Sequence, residues 1–126
     1  MVKIVVDSSV IIEKIRTDGC LFDRLVELQL KNKVILFISV VTVAELWAGE
    51  SMNKKSEIES VTEIIKYIKR LIVNEDIAMM SGEIVRKYKI EAMDALIAAS
   101  ALEDDAQLAT LNVKHFKMIK GLKLYK

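Results

Sequence analysis

The chain has no proline, one cysteine, one histidine, four glycines and few aromatic residues in 126 positions. Because Cys20 is alone, an internal disulfide and a cysteine-based metal site are both excluded, which fits a reducing compartment. With no proline and so little glycine there is no Pro/Gly/Ser-rich linker, and no repeat divides the chain. One domain, residues 1–126, is therefore expected, long enough to bury roughly two thirds of its unfolded surface. Long hydrophobic runs are missing too. The longest, VILFISVVTVA at 34–44, contains Ser39 and Thr42 and falls short of the roughly 18–20 residues that span a bilayer. It reads as core, so no membrane association is expected. The opening MVKIVVDSS reaches Asp7 after three apolar residues and so lacks the apolar region of a secretory signal, and a cytoplasmic protein is expected. The low aromatic content argues against Trp47 and Phe22 as stacking platforms for bases; core or partner contact is the commoner use.

Acidic residues are absent from one part of the chain. All 18 lie in residues 1–105, where 14 lysines and arginines leave a net charge of −4, while residues 106–126 carry five lysines and no acid. Lys114, Lys117, Lys120, Lys123 and Lys126 can form a basic strip for a polyanion or simply a solvated, soluble edge.

What is present alternates between two periods. KIVV at 3–6 is a β-branched run without helical spacing, and Asp7-Ser8-Ser9 signals a helix start before VIIEKIR. LFDRLVELQL at 21–30 has helical spacing, VILFI at 34–38 reads as a second buried strand, and Ser39 as the N-cap of the helix that follows. Ile58, Val61, Ile64, Ile65, Ile68 and Leu71 predict one long amphipathic helix over 54–71, followed by a short strand LIV at 71–73. Helices are expected at about 75–88 and up to about Leu102, a strand at QLATL 107–111, a helical turn at VKHFKMI, and a closing LKLY. Met79 and Met80 read as gap-filling core. Strands alternating with helices predict an α/β three-layer sandwich: a central, mostly parallel sheet with helices on both faces.

In open parallel sheets the ligand site lies beyond the carboxyl ends of the strands, where strand order reverses. Asp7 directly follows the first strand, Thr110 and Asn112 lie at and just past the last, Glu45 stands about one and a half turns into the helix leaving the second, and Asp94 lies one turn into its own helix. Asp94 is otherwise surrounded by alanine, isoleucine and leucine, where an ionised carboxylate is costly unless compensated. Three carboxylates brought together raise one another's pKa, and a divalent cation removes the conflict. Oxygen-only donors without histidine or cysteine suit Mg²⁺ or Mn²⁺. Ala95, Ala98 and Ala99 would let the helix approach the sheet closely.

IVVDSSVII, SVVTVAELWAG, MDALIAASAL and LATLNVKHF, in this order and spanning nearly the whole chain, resemble the four motifs of the PIN-domain ribonucleases, in particular the VapC-type toxins of toxin–antitoxin pairs. The resemblance implies Mg²⁺- or Mn²⁺-dependent hydrolysis of RNA phosphodiester bonds, with Asp7, Glu45 and Asp94 as metal-holding catalytic acids. Thr110, and after it Ser9, would orient a ligating carboxylate or a water, and Lys114 and Lys117 would hold the RNA backbone. An antitoxin partner covering apolar surface around Phe22, Trp47 or Met52 is implied, as is a homodimer. Many family members have an aspartate where this chain has Asn112; an amide is a weaker Mg²⁺ ligand, so Asn112 is the weaker metal candidate.

Other readings stay open at this level. Asp7 is also a natural N-cap, Glu45 can pair with a lysine, and Asp94 can cap or pair locally beside Glu91. His115 invites a general-base role, although packing or surface exposure is the commoner one. A phosphoryl-accepting receiver domain shares the α/β alternation but needs an acidic pair after the first strand, where this chain has Asp7-Ser8, and an Asp after the middle strand, where it has Ser39. A non-catalytic binding module on the same scaffold and a housekeeping RNA-processing nuclease remain.

Overall fold

The computed structural model describes residues 1–17 and 20–126. Among these, four strands form one fully parallel sheet: β1 Val2–Val6, β2 Val34–Ser39, β3 Lys69–Leu71 and β4 Gln107–Ala109, in the order β3-β2-β1-β4. Helices α1 Ser8–Arg16 and α2 Leu21–Leu30 connect β1 to β2. Helix α3 Val40–Ala48, a 3₁₀ turn at Glu50–Asn53 and α4 Lys55–Ile65 connect β2 to β3. Helices α5 Glu75–Tyr88 and α6 Ala92–Glu103 lead to β4, and α7 Val113–Phe116 follows it. No helix among the described residues is long and apolar enough to cross a membrane.

Side chains alternate across a strand, so β1, β2 and β4 each feed two cores. Ile4 and Val6 of β1 and Val34, Leu36 and Ile38 of β2 pack with Val10, Ile11, Phe22, Leu25, Leu46, Val61 and Ile65 from α1 to α4. Val5 and Leu108 face the other way, onto Ile77, Ile84, Ile97 and Phe116. These two apolar layers, one on each face of a sheet buried between helices, are the expected three-layer sandwich. Each wholly buried aliphatic side chain contributes about 1.5–3 kcal/mol relative to exposure. The closing LKLY runs along the outer edge of β4, where Leu108 N–H donates to Lys123 O and Tyr125 N–H to Leu108 O, both at 2.8 Å.

Two local expectations need correction. The helix expected over 54–71 stops at Ile65, and the strand expected at 71–73 begins at Lys69. Arg70 Nη1 donates to Ile65 O at 2.8 Å and to Ile68 O at 2.6 Å, so one guanidinium braces the helix end, where Ile65 O also accepts from Ile68 N–H at 3.1 Å. The apolar spacing persists through Ile68, which is buried, but it is met by a turn rather than by a further helical turn. Met79 is exposed rather than core, whereas Met80 is half-buried against the second apolar layer. The strand expected over 107–111 ends at Ala109, which frees Thr110 for the bonds described next.

The topology also sets where chemistry can occur. From β1 the chain moves to β2 and then β3 on one side, and afterwards crosses back to place β4 on the other side of β1. The reversal of strand order therefore lies between β1 and β4, with Asp7 and Thr110 at its carboxyl rim.

Candidate active site

Asp7 is nearly wholly buried, at 2% exposure. Its N–H donates to Ala109 O at 2.9 Å, which locks it to the neighbouring strand end. It occupies the N-cap position of α1, yet its carboxylate makes no capping bond. Instead Oδ2 accepts two hydroxyl protons, from Ser9 Oγ at 2.8 Å and from Thr110 Oγ1 at 2.7 Å. Each hydroxyl is fixed in turn by a backbone donor: Leu111 N–H on Ser9 Oγ and Asn112 N–H on Thr110 Oγ1, both at 3.0 Å. A hydroxyl has one proton, and both are committed to Asp7, so Ser9 and Thr110 meet at 3.4 Å without needing a bond between them. The reading of Asp7 as a simple cap is thereby set aside.

Glu45 is carried by α3, which starts where expected: Ser39 Oγ accepts from Val41 N–H at 3.1 Å. Its Oε1 is buried and has no hydrogen-bond partner, and no ion pair among the described residues involves it, which removes the lysine-pairing alternative. Burial, then the charges of Asp7, Asp94 and Glu91, push the carboxyl from 4.5 up to about 7. Asp94 sits in the first turn of α6, which packs against α3. Burial and the charge of Asp7 raise its pKa, while His115, with Nδ1 at 3.3 Å from Asp94 Oδ2, works in the opposite direction. Ala95, Ala98 and Ala99 are wholly buried, which lets α6 lie close over the sheet.

The acids thus share one rim, where the charge of Asp7 opposes the ionisation of Glu45 and Asp94. Among the described residues no three His, Cys, Asp or Glu side chains are already grouped so as to hold a metal ion. A closed cage is not required of Mg²⁺, which keeps several waters and uses only a few carboxylates. The oxygen-only donor set, the unpartnered Glu45 oxygen and the mutual repulsion fit a hydrated divalent cation.

Asn112 is exposed at the start of α7 and contributes its backbone N–H to Thr110. Lys114 lines a recess of about 310 Å³ beside Asp94, with Tyr88, Lys89, Glu91, His115 and Met118. Lys117 is exposed but is not part of that wall. Three contributors were underweighted by sequence reasoning: Glu91, which raises both Glu45 and Asp94; His115; and Ser9, which shares Asp7 equally with Thr110. Ser9 carries a local signal two residues after Asp7, whereas nothing in the spacing of His115 and Asp94 marks them as neighbours.

A parallel sheet with Asp7, Glu45 and Asp94 near its switch point defines an α/β domain whose family is identifiable. The PIN domain model matches residues 4–121, and the chain belongs to that family. The chain is 38% identical over 125 residues to Ribonuclease VapC10 of Mycobacterium tuberculosis, covering 95% of this chain and 90% of the relative. The fold matches the crystal structure of VapBC2 from Rickettsia felis bound to a DNA fragment from their promoter, with a TM-score of 0.83, 23% identity and coverage of 98% and 97% of the two chains. It also matches a toxin–antitoxin complex from Klebsiella pneumoniae, with a TM-score of 0.72, 23% identity and coverage of 94% and 93%.

Proposed function

We propose that residues 1–126 form one PIN domain that hydrolyses RNA phosphodiester bonds with Mg²⁺ or Mn²⁺, and that it acts as the toxin of a cytoplasmic toxin–antitoxin module. The observation that carries the metal reading is that the charges of Asp7 and Asp94 reach Glu45 at the switch point, where Glu45 Oε1 is unpartnered and the carboxyl is pushed up to about 7 by burial first and then by those acids and Glu91. Asp7, Glu45 and Asp94 would hold the cation, and Asn112 would contribute more weakly, through its amide. Once bound, the cation would supply Lewis-acid polarisation of the scissile phosphate and a lowered pKa for an attacking water. Ser9 and Thr110 hold Asp7 by one oxygen, so its orientation is set before any substrate arrives. Glu45, with its carboxyl pushed up to about 7, is partly protonated near neutral pH, and a bound cation would favour its ionised form. Lys114 and Lys117 would contact the RNA backbone, an interaction that weakens steeply with salt.

The partner reading rests on the named relatives and on one groove. A cleft of about 380 Å³ between α1, α3 and α4 is lined by Ile12, Ile15, Leu46, Met52 and Val61 with Arg16 at its side, and Glu45 forms part of its wall. An amphipathic segment of an antitoxin lying there would reach the acids directly. Trp47 is 41% exposed on α3 and suits such a contact. Phe22 does not: it is buried in the core, and Met52, which lines the groove, is largely buried too.

The test uses purified protein and defined RNAs. Cleavage is expected with Mg²⁺ or Mn²⁺, none in excess EDTA, and none in Asp94→Asn, whose circular dichroism and melting remain native-like. Cleavage persisting in EDTA or in Asp94→Asn would sink the metal-site reading, and RNA binding without any cutting would favour the non-catalytic module.

A further inference from the structure

We propose that His115 is a positioning residue: its imidazole holds Asp94 by one oxygen, so that the segment from Thr110 to Phe116 clamps both aspartates of the site at once. This inference rests on the metal reading above. His115 Nδ1 lies 3.3 Å from Asp94 Oδ2. Among the described residues, the two hydroxyl bonds to Asp7 both fall on Oδ2, the His115 contact with Asp94 falls on Oδ2, and Glu45 Oε1 has no partner. Each acid therefore keeps an oxygen that no protein group engages.

The clamp is mechanically continuous. Thr110 Oγ1 donates to Asp7 and accepts from Asn112 N–H, and Asn112 O accepts from His115 N–H at 3.0 Å. Phe116, the next residue, is wholly buried against the second apolar layer and anchors α7. The His115 side chain is 57% exposed, but its backbone is held at both ends, so the ring has a fixed origin from which to reach Asp94. An aspartate without such a partner can rotate its carboxylate and present either oxygen; outer partners of this kind typically contribute 10–100-fold to metal affinity. The fourth motif then acts here by holding two carboxylates in place, whatever Asn112 itself contributes.

Calorimetric titration of Mn²⁺ into the RNA-free protein tests this, because it reads the site without turnover. An asparagine amide nitrogen falls near the Nδ1 position and that of glutamine near Nε2, so the two variants separate the ring nitrogens. His115→Ala and His115→Gln are expected to lose about 10–100-fold in Mn²⁺ affinity, whereas His115→Asn restores most of it. Since His115 is half exposed, all three variants are expected to melt like the native protein. Equal Mn²⁺ affinity in all four proteins would overturn the inference, as would unchanged affinity with RNA cutting rescued by glutamine alone, which would assign Nε2 to the RNA. Failure of the native protein to bind Mn²⁺ would instead overturn the metal reading and the inference with it.

Discussion

Replacing Glu45 by glutamine should stabilise the cation-free protein at pH 8 and leave it unchanged at pH 4. The folded carboxyl titrates near 7 rather than 4.5, so between those values the folded state keeps a proton that the unfolded chain has released. Stability then falls as pH rises through this window, and the full penalty is present above about pH 7. A shift of this size corresponds to an upper bound of about 3 kcal/mol. Glu45 is only partly buried, so solvent screening reduces the usable figure to about 1–2 kcal/mol. For a chain of this length that is a rise in Tm of about 4–8 °C for Glu45→Gln at pH 8. The assay is thermal unfolding of both proteins in EDTA at pH 4 and pH 8, followed by the same melts with Mn²⁺. With Mn²⁺ at about 100 times its Kd the native protein should gain about 2.7 kcal/mol, which reverses the order of the two proteins at pH 8. Equal melting of the two proteins at pH 8 in EDTA, or a less stable glutamine variant, would refute the claim that Glu45 is held in an electrostatically opposed position.

Two further predictions address the hydroxyl pair and the fourth motif. Thr110→Val removes one of the two donors to buried Asp7 and should cost about 1–3 kcal/mol of stability along with Mn²⁺ affinity; a variant that melts and binds like the native protein would show that Ser9 alone suffices. Asn112→Asp should tighten Mg²⁺ binding measured by calorimetry, and an affinity that is unchanged or weaker would show that this side chain does not face the cation.

The parallel sheet and its two helical layers were legible because buried strands leave short β-branched runs and helices leave a longer period, as in KIVV against LFDRLVELQL. The end of α4 was not, because Ile68 keeps the helical spacing while an arginine two residues on closes the helix from outside. Met79 and Phe22 show the same limit: an apolar residue type does not say which face of its helix meets the core.

The candidate site divides along a similar line. The sequence by itself pointed to candidate acids for one rim: Asp7 directly follows a strand, Glu45 lies in the helix that leaves another, and Asp94 sits in the first turn of its helix among alanines. These are local facts, set by caps, periods and residue size. That Thr110 donates to Asp7 across 103 positions, and that His115 reaches Asp94, was decided only by the order β3-β2-β1-β4, which brings β4 beside β1, and by Phe116 seating α7 in the second core. Pairing across a sheet is chosen by the burial of both apolar faces together, and no single stretch of the chain carries that choice.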